Sequence, residues 1–175
     1  TVGGANTLSI LMSSGNGLDV LSGANATLNT GSISCAATSA VQTGGTLTVN
    51  GGGLGSGPLM VDGTLNLNMN ATNASLGGLG TIAGTSTLTI SGTSNDTYAG
   101  AIDNGAGTMA LAKGGTSTLT LSGSSNYSGG TTISGGIIQA NTEGQTNPAF
   151  CAGADLKAIN SGAGGSLSTA RGGFA

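Results

Sequence analysis

Residues 46–67 read TLTVNGGGLGSGPLMVDGTLNL and contain three short apolar runs, in two of which apolar and small polar residues alternate. The runs are Thr46-Leu47-Thr48-Val49, Leu59-Met60-Val61 and Thr64-Leu65-Asn66-Leu67. Alternation with a period of two is typical of a β-strand that buries one face. Glycine clusters such as Gly51-Gly52-Gly53 separate the runs and favour tight turns. The stretch therefore predicts short strands joined by tight turns.

The same signature, a Thr followed by an aliphatic residue, recurs along most of the chain. It begins at Thr7, Thr27, Thr46, Thr64, Thr87, Thr108 and Thr132, and the aliphatic positions are 20, 19, 18, 23, 21 and 24 residues apart. Weaker apolar runs lie between these marks, and no stretch shows helical periodicity. Two or three short strands in about twenty residues form one rung of a β-solenoid, in which successive coils stack and their strands pair in parallel. We therefore predict an all-β solenoid of about eight rungs of roughly 20 residues, with these marks stacked on one another.

The composition agrees with a narrow solenoid. The chain of 175 residues has 36 Gly, 25 Thr, 21 Ser and 15 Asn, but only 34 Leu, Ile, Val and Phe together. A narrow interior needs few large side chains per rung. Two alternatives remain open on the sequence alone. A β-sandwich also has closely spaced strands but usually more aromatic residues, and a disordered linker usually has a higher net charge than −3.

Several functional classes are excluded or disfavoured by the scarcity of charged groups. Three Lys and Arg residues are too few for a nucleic-acid interface, and no apolar run is long enough to span a bilayer. The chain has no His, and its carboxylates are isolated, so no nucleophile system or acid–base pair is visible. These six carboxylates are Asp19, Asp62, Asp96, Asp103, Glu143 and Asp155. We predict no enzyme and no cofactor.

A calcium-binding motif is also disfavoured. Residues 15–21, GNGLDVL, are similar to the calcium-binding nonapeptide of β-rolls. That motif works in tandem copies, because adjacent turns share each ion. A single copy predicts an ordinary turn before a strand, and hence no metal site.

Residues 97–140 carry the most specific pattern, TYAGAIDNGAGTMALAKGGTSTLTLSGSSNYSGGTTISGGIIQA. The Leu111-Ala112-Lys113-Gly114, Leu119-Thr120-Leu121-Ser122-Gly123 and Asn126-Tyr127-Ser128-Gly129-Gly130 segments are its most recognisable parts. This stretch resembles the autotransporter-associated β-strand repeat, found in passenger regions of bacterial autotransporters and other large secreted surface proteins. The resemblance implies a right-handed parallel β-helix, export to the bacterial surface or medium, and a stalk or adhesive role without catalytic residues.

The pattern divides the chain into two regions. We predict solenoid repeats over residues 1–140, with 97–140 as the best family match. Residues 141–175 depart from the repeat, beginning around Asn147-Pro148-Ala149-Phe150-Cys151. We expect this segment to be irregular and to act as a cap or a junction.

Two cysteines and five glycosylation triplets are the candidate modification sites. Regular stacking places Cys35 and Cys151 about 24 Å apart, whereas a disulfide needs Cα atoms within about 7 Å. An intrachain bond would require the tail to fold back, so intrachain, intermolecular and free states all remain open. The Asn-x-Ser/Thr triplets begin at Asn25, Asn70, Asn73, Asn95 and Asn126.

Two functional hypotheses follow. In the first, the chain is an extracellular structural protein whose open solenoid ends stack head to tail into a filament or stalk, with 1–12 and 141–175 at the junction. In the second, it is an adhesin segment that binds glycans, or ice through Thr-x-Thr pairs such as Thr46 and Thr48. Asn29, Asn66 and Ala110 interrupt the column of Thr that ice binding would require.

Overall fold

The structure is a computed structural model that describes residues 17–29 and 36–140. These residues form strands and turns, with no helix among them. All strand pairs are parallel, and the strands wind into a β-solenoid of about six turns. The predicted all-β solenoid is therefore confirmed. The prediction of about eight rungs applied to the whole chain. Outside the described residues lie 1–16, 30–35 and 141–175, which include both cysteines.

The solenoid has three faces, and the chain visits them in the same order on the three turns that have a strand on each face. Face A contains β1 (Asp19–Val20), β3 (Ser39–Val41), β5 (Leu59–Val61), β8 (Leu76–Gly77), β11 (Asp96–Tyr98), β14 (Thr118–Leu121) and β16 (Ile137–Ala140), with a bridge from Gly78 to Tyr98 joining its two sheets. Face B contains β2 (Asn25–Leu28), β4 (Thr46–Val49), β6 (Thr64–Leu67), β9 (Thr81–Gly84) and β12 (Ala101–Asn104). Face C contains β7 (Ala71–Asn73), β10 (Thr87–Ile90), β13 (Ala110–Lys113) and β15 (Thr131–Ile133).

The alternation seen in the sequence sets which side chains enter the core. In β6, Leu65 and Leu67 are fully buried, while Thr64 and Asn66 lie on the outer surface. Parallel pairing then stacks inward residues of successive turns on one another, so that Leu65 lies between Leu47 and Ile82. The interior is thus a set of aliphatic columns parallel to the solenoid axis, and a few Leu, Ile and Val per turn fill it.

Among the described residues, the predicted column of Thr marks holds only from Thr46 to Thr64, because Thr27 pairs with Thr48, two residues after the next mark. Thr64 pairs with Thr81 on face B, 17 residues later, and not with Thr87. Leu88 belongs to face C, where it lies between Ala71 and Leu111. Turn length varies from 17 residues at this point to 23 between Leu88 and Leu111. Because the corners absorb these differences, a nearly constant spacing in the sequence does not identify strands of one face.

Candidate functional site

Face B has an uncharged polar outer surface across its first four strands. One column of outward residues runs Asn25, Thr46, Thr64, Thr81 and Ala101, and its neighbour runs Thr27, Thr48, Asn66, Ala83 and Asp103. Successive residues of a column are about 4.8 Å apart, the spacing of paired strands. Within this surface the Asn66 amide donates a hydrogen bond to Thr48 Oγ1 at 3.2 Å. The surface offers regularly spaced hydroxyl and amide groups.

An asparagine ladder borders this surface at the corner that follows face B. Asn50 Nδ2 donates to Asn29 Oδ1 at 2.9 Å, and Asn68 Nδ2 donates to Asn50 Oδ1 at 2.8 Å. The amides join three consecutive turns at an exposed corner, beside backbone hydrogen bonds from Asn50 N to the carbonyl of Leu28 and from Asn68 N to that of Val49. The sequence analysis missed this ladder, although the three Asn residues all directly follow a predicted strand.

The register limits the resemblance of face B to an ice-binding surface. Only Thr46 and Thr48 place Thr in both columns of one strand, because β2, β6 and β9 each have a Thr in only one column. Two adjacent, unbroken Thr columns are therefore absent from face B.

Two charged side chains point into the interior at the corner between faces C and A. Lys113 is fully buried, and its Nζ donates a hydrogen bond to the carbonyl of Gly114. Asp96 lies in an inward column next to Leu119, and its Oδ2 is buried without a hydrogen-bond partner. Burial raises the pKa of Asp96 above its ordinary value of 3.8, although a hydrogen bond from the backbone of Leu76 and the charge of Lys113 act in the opposite direction.

A strand-by-strand reading of alternation would have placed both groups inward. Lys113 follows Leu111 by two residues, and Asp96 precedes Tyr98 by two, and both Leu111 and Tyr98 are buried. In the sequence, Lys113 stands out only as part of the family motif, and Asp96 is one of six isolated carboxylates. The pairing of strands brings them close enough for the charge of Lys113 to affect Asp96.

We predict that Asp96 makes the stability of the solenoid depend on pH. Since its pKa is raised in the folded state, its contribution to stability is fully present below pH 3.8 and is lost as the pH rises through the raised pKa. Urea unfolding from pH 3 to pH 8 should therefore show wild type losing stability, relative to Asp96→Asn, as the pH rises. Lys113→Met should move this loss to higher pH, because it removes the cation that lowers the pKa of Asp96. A pH-independent difference between wild type and Asp96→Asn would contradict the prediction.

The two tyrosines in the described residues belong to the core. The hydroxyl of Tyr98 donates to the carbonyl of Gly80 at 2.9 Å, and burial, with Asp103 and Asp62 nearby, raises its pKa. Tyr127 is also buried, and its hydroxyl lies 2.8 Å from Thr131 Oγ1. Neither ring is available to stack on a sugar.

The five glycosylation triplets differ in accessibility. Asn25, Asn70, Asn95 and Asn126 are exposed. Asn73 is fully buried, and its amide donates to the carbonyls of Gly55 and Gly57. Burial removes Asn73 from the accessible candidates. The two candidate disulfide cysteines, Cys35 and Cys151, lie outside the described residues.

The described residues hold no cluster of side chains typical of a metal site. Asp19, from the single nonapeptide-like motif, accepts a hydrogen bond from Gln42 Nε2 at 3.0 Å. Residues 17–29 and 36–140 contain no group of three or more His, Cys, Asp or Glu that could hold a metal ion. Within the same residues there is no helix of the length and apolarity that a membrane crossing requires.

Comparison with known proteins gives one match. Residues 111–140 match the family model of the passenger-associated-transport-repeat. The matched residues run from β13 through β14 and β15 to the end of β16, which is about one and a half turns. No curated protein and no solved structure matches the chain. The match and the parallel solenoid agree with an autotransporter passenger repeat, as the resemblance of residues 97–140 implied.

Proposed function

We propose that the chain is a non-catalytic structural part of a bacterial surface or secreted protein, a rigid rod that serves as a stalk or as the unit of a filament. The repeat match at residues 111–140 carries the proposal, because passenger repeats belong to exported surface proteins. The geometry supports it: about six turns at about 4.8 Å each give a rod about 29 Å long. Each turn rests mainly on its neighbours, so length can be added by repeating turns.

Immunogold electron microscopy on intact cells of the source bacterium tests this proposal. A stalk predicts label at a constant distance from the envelope, whereas a filament predicts label along fibres that leave the cell. Label found only after the cells are broken open would contradict both forms.

The purified chain provides a second test of the filament. Head-to-tail stacking predicts rods whose lengths are multiples of one unit, whereas monomers at every concentration would contradict the filament.

Glycan adhesion is a second candidate, and the uncharged polar outer surface of face B favours it. Its Thr and Asn side chains are hydrogen-bonding groups suited to sugar hydroxyls, and they repeat along the axis. A glycan array should then show binding that Thr48→Arg on face B abolishes and Thr97→Arg on face A leaves intact. An array on which wild type binds no glycan would remove this candidate.

A further inference from the structure

The two ends of the described solenoid differ in how well their interior is covered. In the first described turn, the inward residues Leu18 and Val20 are 3% and 0% exposed. In the last turn, Ile133 occupies the same inward column as Ile90 and Lys113, which are both 0% exposed, yet Ile133 is 47% exposed. The interior is thus closed towards the N-terminus and open after β15.

The open end combines apolar side chains with strand edges. Ile133 and the half-buried Ile138 lie in inward columns, and Ile137 beside them is 58% exposed. Among the described residues, β15 and β16 are the last strands of faces C and A, so one edge of each has no strand partner there. Exposed edges next to an apolar patch are a ready template for another segment, and natural solenoids cover them.

A buried cation lies directly beneath this end. A β-carbon built on Gly136 would lie 2.9 Å from Lys113 Nζ, so a glycine corner covers the ammonium group here. If this corner opened, water would reach the interior at the position where it is most polar. A cover over the last turn would therefore protect the corner as well as the isoleucines.

The chain itself supplies an apolar segment at the right place. Ala140 ends β16 at the open end, and the sequence continues for another 35 residues. Residues 149–159, AFCAGADLKAI, contain Phe150, Leu156 and Ile159. Phe150 is ten residues after Ala140, and an extended chain of that length reaches about 33 Å, more than enough to return over the end. A segment tethered so closely has an effective concentration in the millimolar range.

We propose that residues 149–159 of the same chain cover the C-terminal end of the solenoid, with Phe150 packed on Ile133 and Ile138. A second copy is the less favoured occupant, for two reasons. The N-terminal end that it would offer already has its interior residues covered, and it would have to compete with a tethered segment. The proposal holds whether or not the rod is a surface stalk, but it favours the stalk over the filament, because the stacking surface is occupied.

Disulfide trapping to the native Cys151 tests the proposal in the full chain. In a Cys35→Ser background, Ile133→Cys places a thiol at the open end, at a proposed contact of Phe150, which directly precedes Cys151. Oxidised glutathione should then join this thiol to Cys151 within one chain, because disulfide formation needs Cα atoms within about 7 Å. The matched control is Thr48→Cys, on the outside of face B and four turns away, which should react at least about tenfold more slowly.

Each outcome decides the proposal. A disulfide-linked monomer, identified by mass and by peptide mapping, supports it. Disulfide-linked dimers would overturn it in favour of a second copy, and equal rates for the two variants would overturn it altogether. Hydrogen exchange gives a second test without a new cysteine: Phe150→Ser should speed exchange of the Ile133 and Ile138 amides about tenfold and leave that of Leu65 unchanged. Unchanged exchange at Ile133 and Ile138 would contradict the proposal.

Discussion

Leu65→Asp should prevent the solenoid from folding. Leu65 is fully buried on face B, between Leu47 and Ile82 of the adjacent turns. Replacement removes the packing of a core leucine and places a carboxylate where no cation or donor is available, at a combined cost of at least about 4 kcal/mol. Because each turn rests on its neighbours, a defect in the third turn separates the chain into two shorter solenoids with too little core.

Thr64→Asp provides the matched control, since Thr64 is the adjacent residue of the same strand and faces outward. We expect it to lower the free energy of unfolding by less than about 1 kcal/mol. Circular dichroism and urea unfolding of the three proteins measure both effects. If Leu65→Asp unfolded at the same urea concentration as wild type, the assignment of Leu65 to the interior would be wrong.

Gly78→Ala should strongly destabilise the solenoid at face A. Gly78 has a φ of 114°, and a β-carbon there would lie 2.1 Å from the carbonyl oxygen of Val61 in the preceding turn. The backbone would have to move away from Val61, and the bridge from Gly78 to Tyr98 would be disturbed. We expect a loss of about 2–3 kcal/mol in the free energy of unfolding.

Gly77→Ala, one residue earlier, separates this effect from the general cost of changing a glycine. Its β-carbon would lie close only to the Cε and Sδ of Met60, both at 3.2 Å, and at ordinary contact distance, 3.9 Å, from the carbonyl oxygen of Thr97; the Met60 side chain is exposed and able to move. The cost should stay below about 1 kcal/mol. Thermal unfolding of both variants measures the difference, and equal melting temperatures would argue against the close approach of Gly78 to Val61.

The sequence predicted the strands far better than it predicted their partners. The alternating runs at 46–49, 64–67, 87–90 and 118–121 are β4, β6, β10 and β14. Alternation is a local property, and a strand that buries one face keeps it whatever lies beside it. The partner of a strand depends instead on how many residues each corner uses, and these corners are rich in glycine, which tolerates many lengths and conformations.

The candidate functional features also divide into those visible in the sequence and those that depend on how the strands pair. The scarcity of charged groups, and the absence of His, pointed away from catalysis without any structure. The asparagine ladder needs Asn29, Asn50 and Asn68 to occupy one corner of three successive turns, although they are 21 and 18 residues apart. That correspondence becomes visible only once the register of β2, β4 and β6 is known.

The sequence by itself determined short β-strands, a thin aliphatic core and a neutral polar surface, because two-residue alternation and composition suffice for these, and its repeat of about twenty residues favoured a solenoid over the alternatives. Only the tertiary structure decided that Thr64 stacks on Thr81 and not on Thr87, that Asp96 and Lys113 approach each other inside, and that the interior is open after β15. The physical reason is that all three depend on contacts between turns. Those contacts are set by corner lengths and packing, which leave no periodic mark on the sequence.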